Sequence, residues 1–461
     1  MFCRCLNDPD EKEPNCNICP VCVAHPGTLP VINGAAVKHI LKMGIAVGGA
    51  LADFTEFDRK NYFYPDIPKG YQISQYQFPL VRGGKLHDVE LTRVHLEEDT
   101  ARSYHKEDYS LIDFNRAGVP LMELVTEPVI HTAKEAGDFA RSLQLLLRTL
   151  GAGEANMEKG QMRIEANISV GLPALHAHAG QAGKGAVLGT KVEVKNLNSF
   201  RSVERAIEYE IARQIKMLEN GKKVIQETRG WDEANQKTFS QRIKEESHDY
   251  RYFPDPDLPK LYLSEIPELP HENLSRELVE LPWKRKERYL ALGLKTEDAN
   301  MFVREPLLGS FFDAVYQLSP EVTQLAANYL SSDIAGKIQA GELHTSWFQI
   351  PQNATRFSAL MLMGKAGMLS SRGMKDTLAL MFTDERDPDT IADEKGLLQQ
   401  SDTGTLSAIV VEVIATNPSV AADYRAGKET SLQYLIGQGM RISKGAANPG
   451  VLRQLLMEHL K

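Results

Sequence analysis

All five cysteines of this 461-residue chain fall at one end: Cys3, Cys5, Cys16, Cys19 and Cys22. Cys3-Arg4-Cys5 and Cys19-Pro20-Val21-Cys22 are two short turns, each placing two sulfurs on one side, and such a pair closes a tetrahedron around zinc. Four thiolates leave no open position for chemistry, so the metal would be structural. Cys16 is left over. Two other readings compete. Cys16, Cys19 and Cys22 read C-x-x-C-x-x-C, a spacing similar to iron–sulfur ligation, without the fourth cysteine and proline that usually follow. Disulfides would need an oxidising compartment, whereas no stretch reads as a secretory signal and a reducing cytosol is the expected setting.

A second chemistry lies in two alternating segments. In QMRIEANISV, Met162, Ile164, Ala166, Ile168 and Val170 alternate with Arg163, Glu165, Asn167 and Ser169. In TKVEVKNLNS, Val192 and Val194 alternate with Lys191, Glu193 and Lys195. Each reads as a strand with one apolar and one charged face. Paired antiparallel across the Gly/Ala-rich stretch 171–189, they would bring Glu165 and Glu193 beside Arg163, Lys191 and Lys195. Carboxylates suit a hard cation and Arg or Lys suits phosphate, so a magnesium–nucleotide site is one reading. A solvated sheet face with cross-strand ion pairs is the other. Glu97, Glu98 and Asp99 end the strand-like run LTRVHLEED and offer a second acidic site, though three adjacent acids at a strand end are usually a solvated turn. His176 and His178 have a spacing that could bind metal but read more simply as surface loop residues. No Walker-type loop, dinucleotide glycine fingerprint or serine nucleophile motif is present.

The elements that must position these residues follow from texture. Up to about Pro267 the chain is rich in Gly, Pro, Tyr, Asp and Asn and reads as mixed α and β. Residues 57–80 are dense in turn formers and aromatics and read as an ordered loop region. Thr132 and Glu135 make a capping box for a helix stopped by Gly151. A second helix starts near Ser199, with Val203, Ile207, Ile211 and Leu218 on one stripe and Asn220-Gly221 at its end. From about Glu268 onward amphipathic helices replace strands, with breaks near 384–388 and 402–404. No apolar run is long enough to span a bilayer. The formal net charge of −8 excludes a generally basic nucleic-acid binder, so RNA contact would need local patches such as Lys284, Arg285, Lys286 and Arg288, or Arg441 and Lys444.

The runs FDRKNYFYPDIPKGYQISQ (57–75), TRVHLEED (92–99), LIDFNRAGVPLMELVTEP (111–128), VEVKNLNSFRSVERAIEYEI (192–211), QETRGWDE (226–233) and HDYRYFPDPDLP (248–259) closely resemble the B subunit of the tRNA-dependent amidotransferases. The end RISKGAANPGVLRQLLMEHLK resembles that family's C-terminal domain, so the resemblance covers nearly the whole chain. It implies an α+β cradle domain, with an antiparallel or mixed sheet and covering helices, at 1–267, then an all-α helical domain at 268–399 and a small all-α tail at 400–461. It implies ATP- and Mg2+-dependent amidation of misacylated Glu-tRNA(Gln) or Asp-tRNA(Asn). In that reaction the cradle phosphorylates the side-chain carboxylate, and ammonia arrives from a separate amidase subunit. A small third subunit completes a heterotrimer, and the helical parts hold the tRNA.

By position, the resemblance makes Glu98 a magnesium ligand and Glu193 an acidic residue of the same pocket. Glu165 stands where many members carry Asp, and Glu123 falls near the site. Lys60 and Tyr62 match residues at the pocket and the ammonia path. Arg163 and Lys195 join them as phosphate-contacting candidates on the strands drawn above. Cys3, Cys5, Cys19 and Cys22 match a zinc set that some members keep. Two departures stand out. Relatives open on a strand reading Gly-Leu-Glu-Val-His-Val, whose Glu and His belong to the magnesium site. This chain opens at MFCRC, which raises the expectation that Met1 is an internal methionine of a longer reading frame. A chain truly lacking that strand would be a catalytically impaired tRNA-holding protein, the alternative to the enzyme. The stretch 171–189 is longer and richer in Ala, Gly and His than in the family, and reads as a surface insertion.

Overall fold

The computed structural model describes residues 1–171, 188–243, 250–399, 402–443 and 445–461. His176, His178 and Lys444 lie outside the described residues. The chain divides into two compact units, Met1–Pro282 and Trp283–Lys461.

The first unit is a set of small sheets with helices packed on them. One sheet is built on the long strand Val89–Glu98, which pairs antiparallel with Pro120–Thr126 so that Glu123 stands opposite His95 and Leu121 opposite Glu97. A second sheet has the order Ile164–Ile168, Val192–Leu197, Glu227–Asp232, Lys237–Ile243. Its first pair is antiparallel, with Asn167 opposite Glu193. Its second pair is parallel, as a crossover through the helix Phe200–Glu219 allows.

The alternation in the sequence is realised in the core of this sheet. Val192, Val194, Ile168, Met162 and Trp231 pack with Val203, Ala206 and Ile207 of the helix above them. Burying those side chains is worth about 1.5–3 kcal/mol each for the larger ones. Leu218 departs from the expected stripe: it lies in the last turn of the helix and is 45% exposed. In its place the helix buries Glu210 and Gln214 completely. Both Nη2 (2.7 Å) and Nε (2.9 Å) of Arg213 donate to Glu210, as does the Thr238 hydroxyl (3.0 Å), so the buried charge is compensated. The companion helix Ala133–Thr149 has the full capping box at Thr132 and Glu135, and Gly151 takes positive φ beyond its end.

Residues 57–80 are more regular than their composition suggests. Asp58–Asn61 and Tyr71–Ser74 form an antiparallel pair with Lys60 opposite Gln72, extended by Phe253–Pro254 on the other edge. The turn formers are concentrated in the connection, where Gly70 takes positive φ. Glu97, Glu98 and Asp99 are likewise not a solvated turn, since each is at most 5% exposed.

The second unit is helical throughout its described residues, from Pro282–Ala291 to Pro449–Leu460, with isolated bridge Leu369–Leu398 its one ladder contact there. Its last part packs Thr403–Thr416, Pro418–Arg425, Thr430–Ile442 and Pro449–Leu460 around Leu406, Val410, Val413, Leu435, Leu452 and Leu456. No single helix is long and apolar enough to cross a membrane. The bent pair Thr403–Thr416 and Pro418–Arg425 reaches that composition only jointly, and its apolar residues Leu406, Val410, Val413 and Ala421 are buried in this core.

Candidate active site and thiol knuckle

The thiols of Cys3, Cys5, Cys19 and Cys22 converge, with all four sulfurs within 4.8 Å of one another. The Sγ of Cys22 lies 3.5 Å from that of Cys3 and 3.7 Å from those of Cys19 and Cys5. Sulfurs at about 2.3 Å from a tetrahedral zinc stand about 3.8 Å apart, so these separations fit a metal and exceed any S–S bond. Cys16 stands apart and exposed, its thiol donating to Glu13 O at 3.2 Å. Burial pushes the Cys22 thiol up to about 11. Burial acts the same way on Cys19, but N–H groups of Cys22 and Val21 outweigh it and bring that thiol down to about 7. The knuckle is tied to the sheet unit: Asn15 and Asn17 N–H donate to the side chains of Asp113 and Asn115, and Asn115 donates back to Glu13 O.

A second cluster sits where the long strand meets Pro120–Thr126. His95, Glu97 and Glu123 bring one ligand atom each to within 4.8 Å of the others. His95 Nε2 lies 3.7 Å from Glu123 Oε2. His95 and Glu97 are buried, while the Glu123 side chain is 41% exposed, so the cluster opens to solvent on one side. Burial drives His95 down to about 4, which leaves its imidazole neutral and able to ligate at pH 7. Its Nδ1 is buried without a partner. Two carboxylates and a neutral imidazole form a donor set that fits a divalent cation.

The strands Asp58–Asn61 and Tyr71–Ser74 aim three residues at this cluster. Lys60 Nζ lies 3.7 Å from Glu97 Oε2. Gln72, itself buried, donates through Nε2 to Glu97 Oε1 (2.5 Å) and Glu98 O (2.6 Å), and accepts from the Tyr62 hydroxyl at 2.9 Å. Burial, reinforced by Glu97, holds the Tyr62 phenol well above its usual range, so it stays a donor. Lys60 Nζ sits 5.2 Å from the Tyr250 ring centroid, and Tyr62 and Tyr250 meet edge to face at 5.9 Å.

The charged face of the second sheet forms a third group. Lys195 Nζ lies 2.9 Å from Glu165 and 3.7 Å from Glu193, and the Thr228 hydroxyl donates to Glu193 at 2.8 Å. Burial pushes Glu165 up. Burial would lower Lys195, but Glu165 and Glu193, with Tyr250 adding to them, hold it above its ordinary range.

The sequence-derived residues separate into distinct places. Glu123 joins the acidic cluster and Lys60 and Tyr62 face it. Glu165, Glu193 and Lys195 form their own group. Arg163 turns instead to Asp99, with Nη2 at 2.9 Å. Glu98 accepts from Lys69 Nζ (2.6 Å) and Ile73 N (2.8 Å), and burial pushes its pKa up against the pull of Lys69. It is Glu97, its neighbour, that meets Glu123 and His95. Sequence reasoning missed His95 and Gln72 as candidate site residues, and offered Glu97 only as part of an acidic run that reads more simply as a solvated turn. The signal for His95 and Glu97 was alternation: residues 95 and 97 share one side of a strand. Nothing local marks Gln72, which is defined by a cross-strand partner. Of the basic residues in the helical unit, Arg288 and Arg285 are engaged by Asp313, the former at 2.8 Å, and Lys284 by Glu287 at 2.9 Å.

A mixed-sheet unit carrying two carboxylates and an imidazole with the spacing of a cation site, followed in the chain by a unit that is helical in its described residues, is the class that this fold and site define. The GatB/GatE catalytic domain matches residues 1–266, and the GatB domain matches 310–460. The chain belongs to this family. The B subunit of the aspartyl/glutamyl-tRNA(Asn/Gln) amidotransferase of Thermus thermophilus is 44% identical, over 100% of this chain and 95% of the relative. Proteins of the same description from Dehalococcoides mccartyi and Moorella thermoacetica are 40% and 41% identical, over 100% of this chain and 95% and 96% of their own lengths.

Proposed function

We propose that this chain is the subunit that amidates misacylated tRNA, converting Glu-tRNA(Gln) to Gln-tRNA(Gln) or Asp-tRNA(Asn) to Asn-tRNA(Asn) with ATP, in the cytoplasm. It works in a heterotrimer with an amidase subunit, which supplies ammonia, and a small third subunit. The convergence of Lys60, Tyr62, Glu97 and Glu123 on one site, in a chain similar to such subunits over all of its own length, carries the reading. The domain limits 1–267, 268–399 and 400–461 assign chemistry to the first part and tRNA holding to the other two.

The chemistry explains the residues. A carboxylate is a poor acyl donor because oxide leaves badly. Transfer of the γ-phosphoryl group of ATP to the side-chain carboxylate releases ADP and leaves an acyl phosphate. Ammonia then attacks the carbonyl carbon, phosphate departs, and the nitrogen loses a proton. Glu97, Glu123 and His95 would hold magnesium, which would supply positive charge to the phosphates. Lys60 holds the Glu97 carboxylate from the opposite side and adds a second positive charge. Gln72 fixes the Glu97 carboxylate and the Tyr62 hydroxyl in one geometry. Tyr62 and Tyr250 wall the site, which keeps water from the acyl phosphate. Glu165, Glu193, Lys195 and Arg163 lie on the nucleotide side of this reading, with Glu165 and Glu193 as further carboxylates for magnesium. Glu98 acts through Lys69 and Ile73, as a strut beneath Glu97. The four-thiol knuckle holds a structural zinc.

The test is Glu123→Gln in the assembled enzyme, which removes one anionic ligand and keeps the side-chain size. Amidation falls by about 10²-fold or more while tRNA binding is kept. An unchanged rate would remove Glu123 from the site.

A further inference from the structure

A chain of tyrosine rings runs from the acidic cluster to the surface. Lys60 Nζ, 3.7 Å from Glu97, sits 5.2 Å from the Tyr250 ring centroid. Tyr250 meets Tyr252 edge to face at 6.0 Å. Tyr252 in turn lies flat against Tyr76, with centroids 4.5 Å apart and 12° between the planes. The Tyr76 ring is 62% exposed, so Tyr252 covers one face and the other is open. Its backbone is fixed. The buried Asp58 carboxylate accepts from Tyr76 N at 2.8 Å, and the preceding residue, the buried Gln75, accepts from Leu96 N at 3.0 Å. The ring is therefore held in place before any ligand arrives.

Cations lie beside this ring. Arg82 Nη2 donates to the carbonyl of Gln77, the residue after Tyr76. Arg82 stands directly opposite Arg93 in the sheet, and their other cross-strand partners, Ala50 and Val125, carry no charge. Neither guanidinium has an ion pair among the described residues, and Arg93 Nε is buried without a hydrogen-bond partner. Arg93 shares its side of the long strand with His95 and Glu97. Like charges directly opposite each other destabilise a sheet, and an anion between them offsets the repulsion. An open aromatic face beside cations suits the end of a single nucleic-acid strand, because the base stacks while the phosphate meets the cations. In the reaction proposed above, the amino acid is esterified to the 3′-terminal adenosine of its tRNA, an unpaired end that has to enter beside the acidic cluster.

We propose that Tyr76, backed by Tyr252, is the platform on which the terminal base of the misacylated tRNA stacks, with Arg82 and Arg93 taking the phosphate that precedes it. This rests on the amidotransferase reading above and names the residues that seat the reacting end of the RNA. The adenine of ATP offers the same ring chemistry, so the experiment separates the two.

In the complex assembled with its amidase and small partners, amidation rates are measured against misacylated tRNA and, separately, against ATP, for wild type, Tyr76→Ala, Tyr76→Phe and Arg82→Gln. Filter binding compares full-length tRNA with the same tRNA lacking its 3′-terminal adenosine. The platform predicts that Tyr76→Ala raises KM for misacylated tRNA by about tenfold, with kcat and the KM for ATP within about twofold of wild type. Tyr76→Phe keeps the ring and should stay near wild type. Trimming the adenosine should weaken binding to wild type and leave Tyr76→Ala unchanged, the mark of two groups that touch. Arg82→Gln should make the log–log salt dependence of tRNA binding shallower by about 0.7. A KM for misacylated tRNA within about twofold of wild type in Tyr76→Ala overturns the platform. So does an equal loss on trimming in both proteins, and so does a raised KM for ATP alone, which would give the ring to the adenine of ATP. A wild-type complex that amidates neither Glu-tRNA(Gln) nor Asp-tRNA(Asn) overturns the platform and the amidotransferase reading together, whereas normal wild-type amidation with an indifferent Tyr76→Ala removes the platform alone.

Discussion

His95 gives the site a pH signature. Burial lowers its folded-state value from 6.5 to about 4, so on acidification the unfolded chain takes up the proton first. Stability contributed by this group is complete above 6.5, is lost as pH falls from 6.5 to about 4, and falls no further below that. The loss reaches at most about 3 kcal/mol. In metal-free protein with a chelator present, His95→Gln should remove this share of the slope in denaturant midpoints measured from pH 7 to pH 4. An identical slope in the variant would contradict a buried neutral imidazole. The neighbours Glu97 and Glu98 make a second residue-scale contrast. Glu97→Gln should cost amidation about 10²-fold and little stability, because Gln72 and Lys60 can still approach an amide. Glu98→Ala should cost about 1–3 kcal/mol of stability in urea melts, because it strands Lys69 and the Ile73 N–H. Reversed outcomes would mean that the cluster has been built on the wrong glutamate.

At the scale of elements, the readable parts were those whose signals are local. The capping box at Thr132 and Glu135, the cap at Ser199 and the alternation in 164–168 and 192–194 all became the elements they describe. Thr132→Ala should cost about 1 kcal/mol, seen as a lower melting midpoint, and Leu218→Lys should change stability by about 0.5 kcal/mol or less. The illegible parts depended on partners distant in sequence. The pairing of 58–61 with 71–74 was hidden under turn formers and aromatics that face other strands. Glu97, Glu98 and Asp99 look solvated in one dimension, yet strands and loops from 58–74 and 114–119 cover them. Nor does any local pattern say that His95 stands opposite Glu123, because that depends on the register of a pairing across a 21-residue interval. The knuckle was legible in its spacing, and its attachment to 112–115 was not. We expect one zinc per chain by elemental analysis. Chelation should expose residues 3–28 to limited proteolysis, while the helical unit from Trp283 keeps its resistance. Absence of zinc with a mass shift for disulfides would contradict the metal knuckle.

At the scale of the whole molecule, the chain carries a sheet unit with the chemistry and a helical unit with little free cationic surface of its own in the Lys284–Arg288 segment. Asp313 and Glu287 occupy Arg285, Arg288 and Lys284. With a net charge of −8, the tRNA holding proposed above would have to rest on small local patches or on the proposed partner proteins. Arg441, exposed at the end of Thr430–Ile442, is one such residue, and Arg441→Glu should weaken tRNA binding with a shallower salt dependence. The central claim is amidation itself. This chain, assembled with its amidase and small partners and given glutamine, ATP and magnesium, is offered Glu-tRNA(Gln) and Asp-tRNA(Asn) separately, and the esterified amino acid is identified. The account predicts ATP-dependent Gln-tRNA(Gln) or Asn-tRNA(Asn), lost in Glu123→Gln with tRNA still bound. A complex that binds both tRNAs and amidates neither would contradict it.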